Sequence, residues 1–353
     1  MTPSAFSHPY LCGLLGDEET ARQFSAEAEI AAMLGFELAL ANAEAAAGLI
    51  PVAAAERIGA VCGSFVPDME ALRAGAAKDG VVVPELVRQL KAAVGADAGQ
   101  DVHMGATSQD VIDTALMLRL QRVCALFVRR LGALDHLFQN LDGSFGSRAL
   151  MGHTRMQAAI PITVADRIRA WREPLQRHRG RLEAFSVEGF AVQFGGAAGT
   201  LDRLGDKGVA IRHAIAKELG LADVPQWQSQ RDCLAEFGGI LSLVSGSLGK
   251  FGQDVALLAE LGGEIELAGG GGSSAMSHKQ NPVAAEVLVS LARFNAVQIS
   301  GLHQSLVHEQ ERSGAAWTLE WLILPQMAVA TGATLRIAAE LVRNIRSFGR
   351  AIT

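Results

Sequence analysis

The sequence predicts an all-α protein built as a bundle of long helices, and three observations carry that prediction. Helical punctuation dominates while strand-like runs are few; Val81-Val82-Val83 is the clearest, and Pro84 cuts it short. Three stretches keep apolar residues at helical spacing for far longer than an ordinary helix: Val111 to Leu141, Asp232 to about Leu267, and Pro282 to about Glu309. The middle one is also threaded with small residues, Gly238, Gly239, Ser242, Ser245, Gly246, Ser247 and Gly249. Glycine in an exposed helix costs about 1 kcal/mol against alanine, so this density implies backbones in close approach.

Taken in order, Ala26 to Ala47 repeats apolar positions at three and four with Glu27, Glu29, Glu37 and Glu44 between them, and Gly48 and Pro51 stop it. A polar, glycine-bearing stretch from Gly95 to Gln100 then marks a boundary, giving an N-terminal helical domain over 1–100 and a long-helix bundle over 101–353. Val111 to Leu141 holds one internal glycine and predicts a rod of roughly 45 Å at 1.5 Å per residue. Asn281-Pro282 opens the last rod, a capping residue followed by proline where its missing N–H is harmless. Rods apolar over more than one stripe must be covered on several sides. One chain has too few partners to do so, which predicts a homo-oligomer around a helical bundle, with a tetramer favoured by symmetry.

Composition excludes several functions. In 353 residues, 49% are apolar and 19% charged, with a net charge of −6. An acidic chain lacks the basic excess a general nucleic-acid binder needs, and an anionic substrate must find local positive groups. Cys12, Cys62, Cys124 and Cys233 form no CxxC pair and read as buried, reduced packing residues. No HxxxH or HExxH spacing suggests a metal, so no metal and no cofactor is expected. Met1 to Tyr10 has no signal-peptide pattern, and Trp321 to Leu335, with Pro325 and Gln326, is too short to span a bilayer. A cytoplasmic protein without membrane contact is expected.

Three segments hold small polar residues where a plain helix or loop does not need them. His103-Met104-Gly105-Ala106-Thr107-Ser108-Gln109-Asp110 leads into Asp113-Thr114. Thr107, Ser108 and the free N–H groups of a helix start suit a carboxylate, although a cap with nothing bound has the same look. Met151-Gly152-His153-Thr154-Arg155-Met156-Gln157 ends at Pro161 and, alone, also reads as a turn between two helices with solvated side chains. Four glycines precede Ser273-Ser274-Ala275-Met276-Ser277-His278-Lys279-Gln280-Asn281-Pro282. Walker A spacing is absent there, and Gly195-Gly196-Ala197-Ala198-Gly199 lacks the strand of a dinucleotide turn. So dense a Ser-Ser…Lys…Asn-Pro pattern argues against a plain linker.

Gly272 to Pro282 resembles the signature loop of the fumarase/aspartase superfamily, GSSxMPxKxNP, departing only at Ser277. His103 to Thr114 is similar to the superfamily's first region in its adenylosuccinate-lyase form, HxGxTSxDxxDT. Gly152 to Gln157 is similar to its second, G-R-T-H-x-Q. The resemblance covers essentially the whole chain. It implies a fumarase/aspartase-type bundle with a 20-helix tetramer core, and active sites assembled from segments of different subunits. Ser273 would transfer a proton at the carbon next to a carboxylate, with Ser274 the other candidate. Lys279 and Asn281 would hold that carboxylate, and His103, Thr107, Ser108, Gln157, Ser274, Met276 and Arg231 would line the substrate. Glu286 stands where the superfamily places the partner of its second-region histidine. Relatives usually continue beyond the position of Thr353 into a further helical domain, so a shortened C-terminus is expected.

The second region carries the informative departure. Its superfamily histidine follows the threonine, whereas here Arg155 follows Thr154 and the histidine is at 153. Arginine stays protonated and moves no proton, but it grips a carboxylate bidentately. That suits a nucleophile needing no deprotonation, such as a muconate carboxylate attacking its own double bond, and a third carboxylate for Arg155 to bind. Phe194 to Leu201, Gln230-Arg231-Asp232, Trp317 to Pro325 with Glu320 and Trp321, and Ala39 to Pro51 also resemble the bacterial 3-carboxymuconate cycloisomerases. The expected activity is therefore lactonisation of a tricarboxylate. An adenylosuccinate-lyase-like elimination is the alternative, favoured by the first region and weakened by Arg155. A crystallin-like structural role is opposed by the intact Ser273-Lys279-Asn281 set.

Overall fold

The computed structural model describes residues 4–272 and 280–350. Its first part consists of α1 (Cys12–Leu15), α2 (Glu18–Arg22), α3 (Ala26–Ala46), α4 (Val52–Cys62), α5 (Met69–Asp79), α6 (Val83–Val94) and α7 (Ala96–Gly99). The Ser25 side chain accepts the Ala28 N–H to start α3, and Gly48, at φ +69°, follows its end as its sequence predicts. Val81 to Val83 is not a strand. Pro84 has its φ fixed for a helix and lacks an N–H that a first turn leaves free, so Val83 opens α6 instead.

The second part holds the rods: α8 (Ser108–Phe145), the hairpin β1 (Ala149–Thr154) and β2 (Gln157–Thr163), α9 (Val164–Glu188), α10 (Gly208–Leu219) and α11 (Asp232–Leu261). Next come β3 (Ile265–Leu267), β4 (Gly271–Gly272), β5 (Gln280–Asn281), α12 (Val283–Gln304), α13 (Gly314–Arg343) and β6 (Ile345–Phe348). Rods α8, α9, α11, α12 and α13 pack in that order, α13 closing back on α8 and also touching α11, while α3 lies along α8 and α10.

Successive rods alternate in direction, so the connections gather at two ends. At one end, the start of α8 bonds Gln193, Gly195, Gly196, Arg231, Arg312 and Trp317. At the other lie the β1–β2 hairpin, the β3–β6 and β4–β5 pairs, and the Ala149–Arg350 bridge. Next to this second end Phe138, Trp171, Phe251 and the β6 residue Phe348 pack their rings together in the core.

Several boundaries differ from the sequence expectation. α8 is 38 residues long, or about 57 Å, because Ser108 to Asp110 and the turn past Leu141 also wind. α11 stops at Leu261, where Gly262 and Gly263 take φ of +70° and +76°, and Ile265–Leu267 is a strand. α12 starts at Val283 with Pro282 as its N-cap, so Asn281 pairs in β5 and is not the cap of this helix. The small residues of α11 serve two faces. A side chain at Gly249 or Gly252 would strike Ala292, or Ala285 and Leu288, of α12, while Gly239 and Gly246 face open space.

Glu37 and Glu44 were expected between the apolar positions of α3, but both are buried. Trp321 to Leu335 is not a short segment either. It is the middle of the 30-residue α13, which is long and apolar enough to cross a membrane, yet 72% of its most apolar window is covered by the rest of the chain. That makes it a core helix. α12 passes the same test with only 28% of that window buried, and Val297 is exposed on it. All four cysteines are free, and Cys12 is exposed, on the single turn of α1.

Candidate active site

The first segment is built around Asp110. Its carboxylate accepts the Thr107 N–H one turn back at 2.9 Å, and across the end of the bundle it takes the N–H groups of Gly195 (2.9 Å) and Gly196 (3.0 Å) and the Gln193 amide (3.0 Å). Burial pushes Asp110 up to about 6 against the pull of these four donors. The Phe194 to Leu201 passage is thus a strap tied onto the start of α8. Gly105 lies under it at φ +72°, where an added Cβ would sit 2.7 Å from Leu204 Cδ2, so this position requires glycine. Thr107 and Ser108 stand half-buried at the helix start, beside N–H groups that a rod's first turn leaves unpaired.

One turn further, Asp113 receives Arg231 at 2.5 and 3.0 Å, Trp317 Nε1 at 3.0 Å and the Gln109 amide at 3.1 Å. Arg231 also donates to Glu320 at 2.9 and 2.5 Å and lies over the Trp227 ring. All three charged side chains are sealed from solvent. Arg231 was expected to line the substrate, but two carboxylates occupy four of its N–H donors. Its observed work is to lock α11 and α13 onto α8. Burial lowers its affinity for the proton, but Asp113 and Glu320 more than restore it, so the group is firmly cationic. His308 Nε2 approaches Glu320 at 3.6 Å, and Arg312 reaches from the same turn to Gln109 at 2.8 Å and the Ala197 carbonyl at 3.3 Å.

The second segment lies at the opposite end. It is a β-hairpin, not the plain turn it resembles, with Thr154 paired to Gln157 and Arg155-Met156 as the two-residue loop. Both loop residues have positive φ, +47° and +64°, the geometry that matches strand twist in tight hairpins but is normally given to Asn and Gly. Strain of this kind costs about 1–3 kcal/mol per residue and concentrates at functional sites. Arg155 and Gln157 are exposed at the tip. Beneath it, His153, Arg155, Arg167, Lys250 and Asp254 contribute to the wall of a cavity of about 580 Å³. Lys250 pairs with Asp254, whose carboxylate also takes Trp171 Nε1 at 2.7 Å.

At the third segment the structure shows the stem. Gly271 pairs with Asn281 and Gly272 with Gln280, which leads into α12 with Glu286 exposed on its first turn. Ser273, Ser274, Met276 and Lys279 lie outside the described residues. The chain therefore brings His103, Thr107, Ser108 and Arg231 to one end and Arg155, Gln157 and Asn281 to the other, separated by a rod of about 57 Å. No small acid spans that distance.

Sequence reasoning did not single out Glu37 or Arg312. Glu37 accepts His103 Nδ1 at 2.6 Å; its signal was an acidic residue inside a helix apolar on every side. Arg312 is an isolated charge in a loop and carries no such signal. Among the described residues no cluster of His, Cys, Asp and Glu is arranged to hold a metal ion.

Comparison with known proteins agrees with this architecture. The family described as Lyase matches residues 17–301. The 3-carboxy-cis,cis-muconate cycloisomerase of Pseudomonas aeruginosa is 40% identical over 91% of this chain and 72% of its own length. The crystal structure of the 3-carboxy-cis,cis-muconate lactonizing enzyme of Pseudomonas putida superposes with a TM-score of 0.89 at 35% identity, covering 96% of this chain and 77% of that one. That of a fumarate lyase from Mesorhizobium gives 0.87 at 32% identity, over 95% and 76%. The chain belongs to the lyase family that also holds the 3-carboxymuconate cycloisomerases, the fumarase/aspartase fold.

Proposed function

We propose that this chain lactonises 3-carboxy-cis,cis-muconate. The observation that carries the reading is Arg155, held at a strained hairpin tip where the superfamily's proton-handling histidine is expected, in a chain 38–40% identical to cycloisomerases over about nine-tenths of its length. An elimination needs a group there to manage the leaving group's proton. Lactonisation does not: the attacking carboxylate is already an anion attached to its target. Its oxygen forms the new C–O bond, the alkene pair moves to the carbon beside a carboxylate, and that carbon takes one proton.

In this reading Ser273 delivers the proton, Lys279 and Asn281 stabilise the carboxylate on which charge grows, and Arg155 grips the 3-carboxylate. Arg167 adds positive charge to the same cavity, where Lys250 is paired with Asp254. His103, Thr107, Ser108 and Gln157 line the remainder, Ser274 and Met276 act from the glycine loop, and no cofactor takes part. The two ends of one chain cannot meet, so each site draws on several copies, and a cytoplasmic homotetramer is the proposed assembly. The scant burial of α12 supports it, as do the exposures of Val297 on α12 (69%) and Leu243 on α11 (49%); a stable, fully active monomer in sedimentation refutes it.

The experiment is a series at position 155. Loss of a charged hydrogen-bond partner costs about 1.5–3 kcal/mol, so Arg155→Ala should lower kcat/KM roughly ten- to a hundredfold. Arg155→Lys should recover part of this, since a point charge lacks the fork geometry, and Arg155→His should not help. Equal losses on muconates with and without the 3-carboxylate would show that Arg155 does not read that group.

A further inference from the structure

We propose that Glu37 is the positioning residue of His103, turning its ring so that Nδ1–H meets the buried carboxylate and Nε2 faces the substrate. The inference rests on the proposed function only in taking a substrate carboxylate as what Nε2 meets.

Three observations support it. The contact is short, 2.6 Å, between a Glu37 side chain 1% exposed and a His103 side chain 16% exposed. Among the described residues Glu37 has no other hydrogen-bond partner: its Oε2 is buried without one, so within that set His103 compensates a carboxylate taken out of water. His103 itself sits at φ +61°, a left-handed backbone that costs a non-glycine residue energy. The fold thus spends both a buried charge and backbone strain on the placement of one imidazole. That imidazole opens the segment whose Thr107 and Ser108 stand at the start of α8, and its Nε2 makes no hydrogen bond to any described residue.

The charges around the pair settle its state. Burial works against a charged His103, but Glu37 of α3 outweighs it and Asp110 of α8 adds to it, while Lys91 of α6 opposes; the balance raises the affinity of His103 for its second proton. Glu44, two turns along α3, and Cys62 also face Glu37, while Asp101 faces Glu44. Burial first, then the charges of Glu37 and Asp101, push Glu44 up to about 8. The contact with Glu37 thus favours the imidazolium form of His103, whose Nε2–H is free to donate to an anion. In an acidic chain this is one of the local positive groups that a tricarboxylate needs.

The test combines a spectroscopic titration with kinetics. In the full-length protein labelled with ¹³Cε1-histidine, the His103 resonance is assigned by its absence in His103→Gln. Glu37→Gln should move its titration to lower pH, and KM for 3-carboxymuconate at pH 8 should rise about tenfold with kcat little changed, the pattern of lost ground-state binding. The double variant should lose no more than His103→Gln alone. An unmoved His103 titration in Glu37→Gln overturns the proposal, as does additivity in the double variant. If Glu37→Gln does not fold, Glu37→Asp and His103→Gln decide: wild-type KM should rise with pH as His103 loses its proton, Glu37→Asp should shift that rise and His103→Gln should abolish it, and a rise unchanged in both variants overturns the proposal. Absence of turnover by the wild-type protein defeats the functional reading, and the titration still decides the role of Glu37.

Discussion

Replacing Glu44 with glutamine tests how the buried acids of α3 are managed. Glu44 is wholly buried and neither carboxylate oxygen has a hydrogen-bond partner. Burial first, then Glu37 and Asp101, raise it from an ordinary 4.5 to about 8. The folded protein therefore keeps a proton that the unfolded chain has lost across that window, and stability must fall as pH rises through it. At 1.36 kcal/mol per pH unit, the ceiling is about 4 kcal/mol between pH 5 and pH 8. Glu44→Gln has nothing to titrate there, and all other groups are shared, so the stability difference between variant and wild type isolates the effect. The glutamine amide adds unpartnered donors, a cost of about 1–3 kcal/mol that does not depend on pH. Only the slope matters. Urea unfolding at half-unit steps of pH should show the wild type losing about 2–4 kcal/mol relative to the variant from pH 5 to pH 8. Parallel curves would mean that Glu44 is ionised in the folded protein, and the description of a neutral acid beside Glu37 would be wrong.

Two further outcomes follow from the geometry and the motif. Arg231→Met leaves Asp113 and Glu320 buried and unpaired, so it should destabilise the protein by about 3–5 kcal/mol in chemical denaturation; a loss of activity with unchanged stability would return Arg231 to the substrate. Ser273→Ala should lower kcat at least about a hundredfold, the low end for general acid–base catalysis, with product affinity much less affected. Near-normal turnover in that variant together with a collapse in Ser274→Ala would transfer the role to Ser274.

Much of the fold was legible because its signals are local. The periodicity of α3 with Gly48 behind it, and the unbroken apolar spacing from Val111 onward, read directly as helices. What failed was read over too short a span. Val81 to Val83 has the composition of a strand, but Pro84 suits the first turn of a helix better. Ile265 to Leu267 continues the apolar pattern of α11, yet it becomes a strand because Gly262 and Gly263 break the helix and β6 offers a distant partner, Phe348 lying opposite Ile265. The same limit applies at the site. Motif spacing marked His103, Thr107, Ser108 and Arg155, whose chemistry is written in their neighbours. It could not separate a substrate arginine from one neutralised by Asp113 and Glu320, because those partners lie 118 and 89 residues away. Nor could it foresee Glu37 against His103, 66 residues apart.

The central claim is tested most directly by giving the purified protein 3-carboxy-cis,cis-muconate and, separately, adenylosuccinate, and following ultraviolet absorbance. Lactonisation destroys the conjugated diene, so the account predicts rapid loss of its absorbance with no metal or cofactor added, and no turnover of adenylosuccinate. Fumarate release from adenylosuccinate with the muconate left intact would contradict it, and would show that Arg155 accommodates an elimination after all.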